Sequence, residues 1–159
     1  MADEYRLRAA TIDDLDALVA HRVGMFTDMG TILDAREVAR AFRDWLADAV
    51  PSGLYRAWVV EAGRGAIVAG GGLAVLPWPP GPLDCRGRIA FVYNVYTEPG
   101  HRRRGLARRI MDAVHAWCRD EGVLTIGLAA SASGRPLYES MGYRAPANPY
   151  LFISLDRLA

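Results

Sequence analysis

Three consecutive arginines, Arg102-Arg103-Arg104, precede Gly105 and the small residue Ala107. A turn that opens a helix points several backbone N–H groups in one direction, at the positive end of the helix dipole, and such a turn binds anions. Glycine and alanine let the backbone approach phosphate oxygens closely, and arginine adds positive charge there. Most runs of charge are solvated surface, so the run alone also fits an exposed basic turn.

The elements around this run favour the phosphate site. Arg88–Glu98 is rich in β-branched and aromatic residues, which predicts a strand, and Pro99-Gly100 would end it. A helix is predicted from about Arg104 to Glu121, with Gly122 as its stop. Strand, turn and helix therefore follow in the order that a phosphate loop needs. The patterns of a P-loop and of a dinucleotide fingerprint are both missing.

The remaining segments predict one mixed sheet flanked by helices. Before the loop we expect a strand at Tyr5–Ala9, a helix from Thr11 to about Gly30, a helix capped by Asp34 and ended by Pro51, and strands at Tyr55–Glu61 and Ala66–Leu76. After it we expect a strand at Leu124–Ala129, a short helix at Pro136–Met141, and closing strands at Tyr143–Ala145 and Tyr150–Leu155. Gly70-Gly71-Gly72 indicates a bulge or a close backbone approach. No linker or repeat divides the chain, so residues 1–159 are predicted to form one domain of the α/β class.

Composition excludes several classes of protein. A net charge of +1 gives no general attraction to nucleic acid or to an anionic membrane. Cys85 and Cys118 form no zinc-binding pattern, so no metal is predicted. The chain has no signal-like apolar start and no apolar run long enough to span a bilayer. We therefore expect a reduced, soluble, cytoplasmic protein.

Two motifs resemble the GNAT superfamily of acyl-CoA N-acyltransferases. The family's pyrophosphate motif, Arg/Gln-x-x-Gly-x-Gly/Ala, stands here as Arg102-x-x-Gly105-x-Ala107, after Glu98-Pro99. The segment Gly134-Arg135-Pro136-Leu137-Tyr138-Glu139-Ser140-Met141-Gly142-Tyr143 is similar to the family's short helix with Leu-Tyr-Glu, followed by glycine and an aromatic residue. The order of elements matches as well. The resemblance implies the GNAT fold, with about seven strands and about four helices.

The resemblance also implies a function and a set of residues. The function is transfer of an acetyl group from acetyl-CoA to a primary amine by direct attack in a ternary complex. Tyr138 would protonate the leaving thiolate, as a general acid. The cofactor would bind the backbone of the central strand, the basic loop and a serine before the last helix, at Val95, Tyr96, Thr97, Arg102, Arg103, Arg104, Gly105, Leu106, Ala107, Arg108 and Ser131. Ser131 stands where the family often has asparagine.

The acceptor and the general base stay open. In this family the first two helices commonly help to form the acceptor pocket, so Met25 and Met29 are candidates for its lining. Either Tyr93 or Asn94 should face the pocket, since successive strand residues point to opposite faces. Glu98 is a candidate base, although a charge partner of the arginines is the simpler interpretation. His21 is expected to be half-exposed on the first helix.

Other functions remain as alternatives. A non-catalytic CoA-binding sensor or regulatory module would not need the acid at position 138, so Tyr138 favours the enzyme. A nucleic-acid binder is disfavoured by the low net charge and by the absence of an aromatic stripe beside the arginines. The acceptor could be a small-molecule amine or a protein amino group. Many relatives form dimers, so a homodimer is also open.

Overall fold

The computed structural model describes residues 5–31, 34–82 and 84–155. The chain divides into two compact units, Met1–Ala129 and Ala130–Ala159. The first unit contains a sheet and three α-helices, and the second contains one short helix. That residues 1–159 form one domain stays a prediction. Residues 1–4, where the sequence lacks a signal-like apolar segment, lie outside the described residues.

The first unit is a five-stranded mixed sheet with helices on both faces. Its elements are β1 (Tyr5–Ala9), α1 (Leu15–Asp28), α2 (Ala35–Ala49), β2 (Tyr55–Ala62), β3 (Ala66–Pro77), β4 (Arg88–Thr97), α3 (Leu106–Asp120) and β5 (Ile126–Leu128). The strands lie in the order β1-β2-β3-β4-β5, antiparallel except for the parallel pair β4 and β5. Val59 packs with α1 and α2, and its neighbour Val60 packs with α3. Alternation along β2 therefore divides the core between the two faces.

The capping residues predicted for the first two helices are confirmed. Thr11 and Asp14 form a reciprocal capping box on a 3-10 turn, Ile12–Asp14, that leads directly into α1. The side chain of Asp34 accepts hydrogen bonds from the first N–H groups of α2. Asp14 is buried and also accepts two hydrogen bonds of 2.8 Å from Arg8 of β1. This pair ties the start of the first helix to the edge of the sheet.

The three glycines of β3 lie where neighbouring side chains pack directly against the strand. A Cβ on Gly71 would lie 3.0 Å from Ile110 of α3, and one on Gly72 would lie 2.6 Å from the Tyr55 hydroxyl. A register shift also falls between Gly70 and Gly72 in the pairing with β4. The predicted close approach is therefore present, whereas the bulge lies opposite these glycines, with its extra residue in β4.

The number of strands predicted from the sequence was wrong. Five strands are present in the described residues, not about seven, because residues 143–145 and 150–155 contain none. Pro146 and Pro149 have no N–H to donate to a ladder, and Leu151 and Phe152 are 89% and 94% exposed. The apolar pattern predicted strands, but strand propensity stabilises little when no neighbour packs on it. β5 is also shorter than the predicted Leu124–Ala129.

The last helix, α4 (Arg135–Ser140), belongs to the second unit and agrees with the predicted short helix. Gly142 follows it with φ of 96°, as a stop requires. None of the helices in the described part of the chain is both long and apolar enough to span a bilayer.

Candidate functional site

A bulge interrupts β4 close to its end. Gly72 pairs with Tyr93 and Gly70 with Tyr96, so Gly71 alone opposes the two residues Asn94 and Val95. Asn94 has φ of 61°, a left-handed conformation that asparagine tolerates better than most residues. Such a bulge bends its strand and redirects the side chains beside it.

β4 has an unpaired edge beyond the bulge. β5 pairs only with Ala90, Phe91 and Val92, whereas β4 continues to Thr97. Within residues 5–31, 34–82 and 84–155, no strand pairs with that edge after Val92. The backbone of Val95, Tyr96 and Thr97, where the family resemblance predicts cofactor binding, belongs to this stretch. Backbone groups on such an edge can bond an extended ligand as they would bond another strand.

The basic loop joins this strand to the start of α3. Gly105 is the N-cap residue, with φ of 76°, and it makes no side-chain capping bond. A Cβ added to Gly105 would meet nothing within 4 Å. The first N–H groups of a helix have no acceptor inside the helix, so Leu106, Ala107 and Arg108 direct theirs beyond its end. Open space at the N-terminus of a 15-residue helix suits a phosphate.

The arginines of the loop differ in their surroundings. The Nε of Arg102 donates to the Thr97 carbonyl oxygen at 2.9 Å, and its Nη2 pairs with Asp28 of α1. The guanidinium of Arg104 lies 5.8 Å from the centroid of the Tyr5 ring. Arg103 is exposed and has φ of 63°. Arg102 therefore fixes the loop to β4 and α1, and Arg103 and Arg104 lie at the exposed surface beside Gly105.

The bulge turns neighbouring side chains of β4 toward the same helix. Asn94 is 4% exposed, and its Oδ1 accepts a hydrogen bond of 2.9 Å from Arg22 of α1. Tyr93 packs against the core beneath α1 and α2, and the Tyr96 ring lies 5.3 Å from the His21 ring of α1. Tyr93 and Asn94 therefore both lie on the side of α1, since the bulge breaks the alternation of the strand. Which of the two faces an acceptor stays a prediction.

His21 is buried, contrary to the half-exposed position expected from the sequence. It is 2% exposed, and neither ring nitrogen has a hydrogen-bond partner in the described residues. Its Nε2 lies 3.9 Å from Oε1 of Glu98, which is too long for a hydrogen bond. Burial lowers the pKa of His21 to about 4. The ring is therefore neutral at pH 7, and Glu98 lies beside it at the end of β4 with 47% of its side chain exposed.

Arg22 is the residue of this region that the sequence did not single out. Its guanidinium carbon lies 4.9 Å from the ring centroid of Phe26 and 4.7 Å from that of Phe42. Leu18 and Val19 precede it by four and three residues, so it falls on the buried face of α1. A charged residue on an apolar helical stripe was the signal that could have identified it.

The two methionines predicted to line an acceptor pocket lie at the end of α1. Met25 is half-buried, and Met29, the C-cap residue, is 43% exposed. These positions alone do not place either methionine in contact with a reacting group. In the described residues no group of three His, Cys, Asp or Glu side chains could hold a metal ion.

The second unit contains the two remaining predicted site residues. Tyr138 of α4 is 9% exposed, and burial raises the pKa of its hydroxyl. Its ring makes an edge contact with Tyr143 at 5.8 Å. Ser131 precedes α4, and its Oγ accepts a hydrogen bond of 3.1 Å from the N–H of Gly134. Tyr138 therefore keeps its proton at neutral pH, and Ser131 stabilises the turn that opens the helix.

Comparison with known proteins identifies the family. Residues 17–143 match the model of the acetyltransferase (GNAT) family. A GCN5-related N-acetyltransferase from Ralstonia eutropha JMP134 is 35% identical, with a TM-score of 0.85 over 94% of this chain and 98% of that one. A predicted acetyltransferase with acetyl-CoA from Clostridium acetobutylicum has the same fold, with 24% identity and a TM-score of 0.87 over 98% and 99% of the two chains. Among curated proteins, none matches.

The chain belongs to the GNAT acetyltransferase family. The family resemblance and the mixed α/β fold that the two motifs implied are thereby confirmed, apart from the number of strands.

Proposed function

We propose that this protein transfers an acetyl group from acetyl-CoA to a primary amine by direct attack in a ternary complex. One observation supports the proposal above the others: the unpaired edge of β4 leads into a glycine-capped helix start with open space around Gly105. The strand edge would accept an extended arm, and the helix start next to it would accept a pyrophosphate. The residues of the first unit therefore fit acetyl-CoA.

In this proposal each part of the chain has a separate task. Bound acetyl-CoA supplies an activated thioester. The backbone of Val95, Tyr96 and Thr97 holds the pantetheine arm, and N–H groups near Val95 and Tyr96 oppose the negative charge that develops on the carbonyl oxygen. The backbone N–H groups of residues 103–108 hold the pyrophosphate, with positive charge from Arg103, Arg104 and Arg108.

The hydroxyl of Tyr138 would donate the proton that the departing sulfur takes up. The raised pKa of Tyr138 keeps that proton available at neutral pH. Ser131 is proposed as a further cofactor contact, and Met25, Met29, Tyr93, Asn94 and Glu98 as the surroundings of the acceptor. The acceptor is a small-molecule amine or a protein amino group, and the base that deprotonates it stays open. A homodimer and a cytoplasmic location stay predictions.

Calorimetric titration with acetyl-CoA and with CoA tests the cofactor site. We expect a dissociation constant on the order of 1 μM for the wild type, about −8 kcal/mol. Gly105→Glu places a bulky anion where the pyrophosphate would bind, and we expect at least about a 100-fold loss of affinity, since like charges repel there.

Gly63→Glu is the matched control. Gly63 also has a positive φ, 53°, and also has nothing within 4 Å of an added Cβ, but it lies in the turn between β2 and β3. It should bind like the wild type. Equal losses in both variants, or no binding by the wild type, would contradict the cofactor site. Binding without acetyl transfer to any amine would favour the sensor module instead.

A further inference from the structure

Arg22 carries a positive charge into a half-buried position beside the bulge of β4. Its Nη1 donates to Oδ1 of the buried Asn94, and the rings of Phe26 and Phe42 lie within 5 Å of its guanidinium carbon. A guanidinium has five N–H donors. The contacts with the aromatic rings use none of them, and the hydrogen bond to Asn94 uses one. Most of the hydrogen-bonding capacity of this guanidinium is therefore left for a ligand.

In the described part of the chain no acidic side chain balances this charge. Arg8, which is also half-buried, pairs with both Asp14 and Glu61. Arg22 has no carboxylate within 4.0 Å among the residues that the structure describes. The phenols of Tyr55 and Tyr93 are near it, but burial raises the pKa of Tyr55, which keeps that phenol neutral. A partly desolvated cation without a counter-ion is unfavourable, and an anionic ligand would remove that cost.

The position of Arg22 relates this anion site to the proposed reaction. The side chain that holds Arg22 is that of Asn94, and the next residue is Val95, whose backbone is proposed to bind the reacting end of acetyl-CoA. An anion bound by Arg22 would thus lie on the α1 side of the bulge, beside the part of β4 that is proposed to hold the acetyl group. One small molecule that carries both an amine and an anion could therefore occupy both places.

The type of anion follows from the donors. A guanidinium forms two parallel hydrogen bonds with a planar carboxylate. One cation also matches the single charge of a carboxylate, whereas a phosphate group carries nearly two charges at pH 7. We propose that Arg22 binds the carboxylate of the acceptor, so that the acceptor is a small amine with a carboxylate a few bonds from its nitrogen, such as an amino acid. This inference rests on the proposed acetyl transfer.

The test compares matched acceptors. The twenty protein amino acids, β-alanine and γ-aminobutyrate are each assayed beside their carboxamides, with acetyl-CoA, by release of the CoA thiol. We expect kcat/KM to favour the carboxylate member by about 100-fold with the wild type, because a charge-assisted pair is lost in the amide. Arg22→Gln should remove this preference by lowering kcat/KM for the carboxylate acceptors and leaving kcat/KM for the carboxamides unchanged. Arg22→Lys should retain part of the preference.

Two further variants separate recognition from folding. Asn94→Asp keeps Arg22 but gives it an internal carboxylate, so the preference should again fall by about 10-fold or more. Arg40→Gln removes an exposed arginine of α2, 70% accessible and paired with Asp44, and should keep the preference of the wild type. Melting curves should show one cooperative transition for every variant, which establishes that each is folded, and titrations with acetyl-CoA should match those of the wild type.

The inference and the proposed function fail in different ways. Calorimetry without acetyl-CoA measures the affinity of the same amino acids for the wild type and for Arg22→Gln, and this affinity depends on the anion site alone. Absence of acetyl-CoA binding by the wild type refutes the proposed function. Equal use or binding of carboxylates and amides refutes the role of Arg22, and so does a wild type that binds acetyl-CoA but acetylates no member of the panel.

Discussion

Protonation of His21 should govern part of the stability of this protein below neutral pH. The ring is 2% exposed and without a hydrogen-bond partner in the described residues, and burial lowers its pKa to about 4 from the ordinary value of 6.5. Between these two pH values the unfolded chain binds more protons than the folded one. The free energy of unfolding therefore falls as the pH decreases from 6.5 to 4, and this contribution levels off below pH 4.

The size of the effect follows from the two pKa values. At pH 4.5 an unfolded histidine is almost fully protonated, whereas the buried ring is mostly neutral. Linkage then gives a loss of about 2.5 kcal/mol at pH 4.5 relative to pH 8. The carboxylate of Glu98, 3.9 Å from Nε2, would reduce this loss if it stabilised the protonated ring.

Urea unfolding at pH 8 and at pH 4.5 measures the loss in the wild type and in His21→Gln. Glutamine does not titrate, so the variant should lose about 2.5 kcal/mol less between the two pH values, whatever its stability at pH 8. Other titrating groups contribute equally to both proteins and cancel. The same loss in both proteins, or an NMR titration of His21 with a midpoint near 6.5, would refute the reasoning.

Three further substitutions have definite expected outcomes. Gly72→Ala should lower the free energy of unfolding by about 3 kcal/mol, since the new Cβ would lie 2.6 Å from the Tyr55 hydroxyl and closer still to a β2 carbonyl oxygen. Asp14→Ala should cost about 3 kcal/mol, because it removes two hydrogen bonds to Arg8 and the helix cap. Both are measured by urea unfolding. Tyr138→Phe should lower kcat by about 100-fold without weakening acetyl-CoA binding, as read from CoA release and calorimetry.

Matched controls accompany these substitutions. Gly100→Ala adds a Cβ with nothing within 4 Å and should change stability by less than about 0.5 kcal/mol. Asp13→Ala removes an exposed carboxylate next to Asp14 and should change the free energy of unfolding by a similarly small amount. A Gly72→Ala protein as stable as Gly100→Ala would show that the residues of β2 move away from the new Cβ at little cost in free energy. Unchanged kcat in Tyr138→Phe would assign the tyrosine to packing.

Much of the helical architecture was predictable because its signals are local. Thr11 and Asp34 bond N–H groups within three residues, and Gly30 and Gly122 adopt φ of 67° after their helices. A cap needs no partner from elsewhere in the chain, so composition and spacing place it. The basic loop was predictable for the same reason.

Strands and burial depended on distant residues. The apolar residues of 150–155 resemble a strand, yet a strand exists only where another one pairs with it. His21 and Arg22 look like polar positions on α1, but the first is buried beneath Tyr96 and Gly70, and the second is held by Asn94, 72 residues later.

The sequence by itself therefore determined the family, the position of the basic loop before α3 and the order of the helices, since each depends on residues a few positions apart. Only the tertiary structure decided which side chains surround the bulge of β4. That bulge comes from a mismatch of one residue between β3 and β4, and it turns Asn94 toward Arg22. Such pairings join residues far apart in the chain, and their energies depend on packing that no local pattern contains.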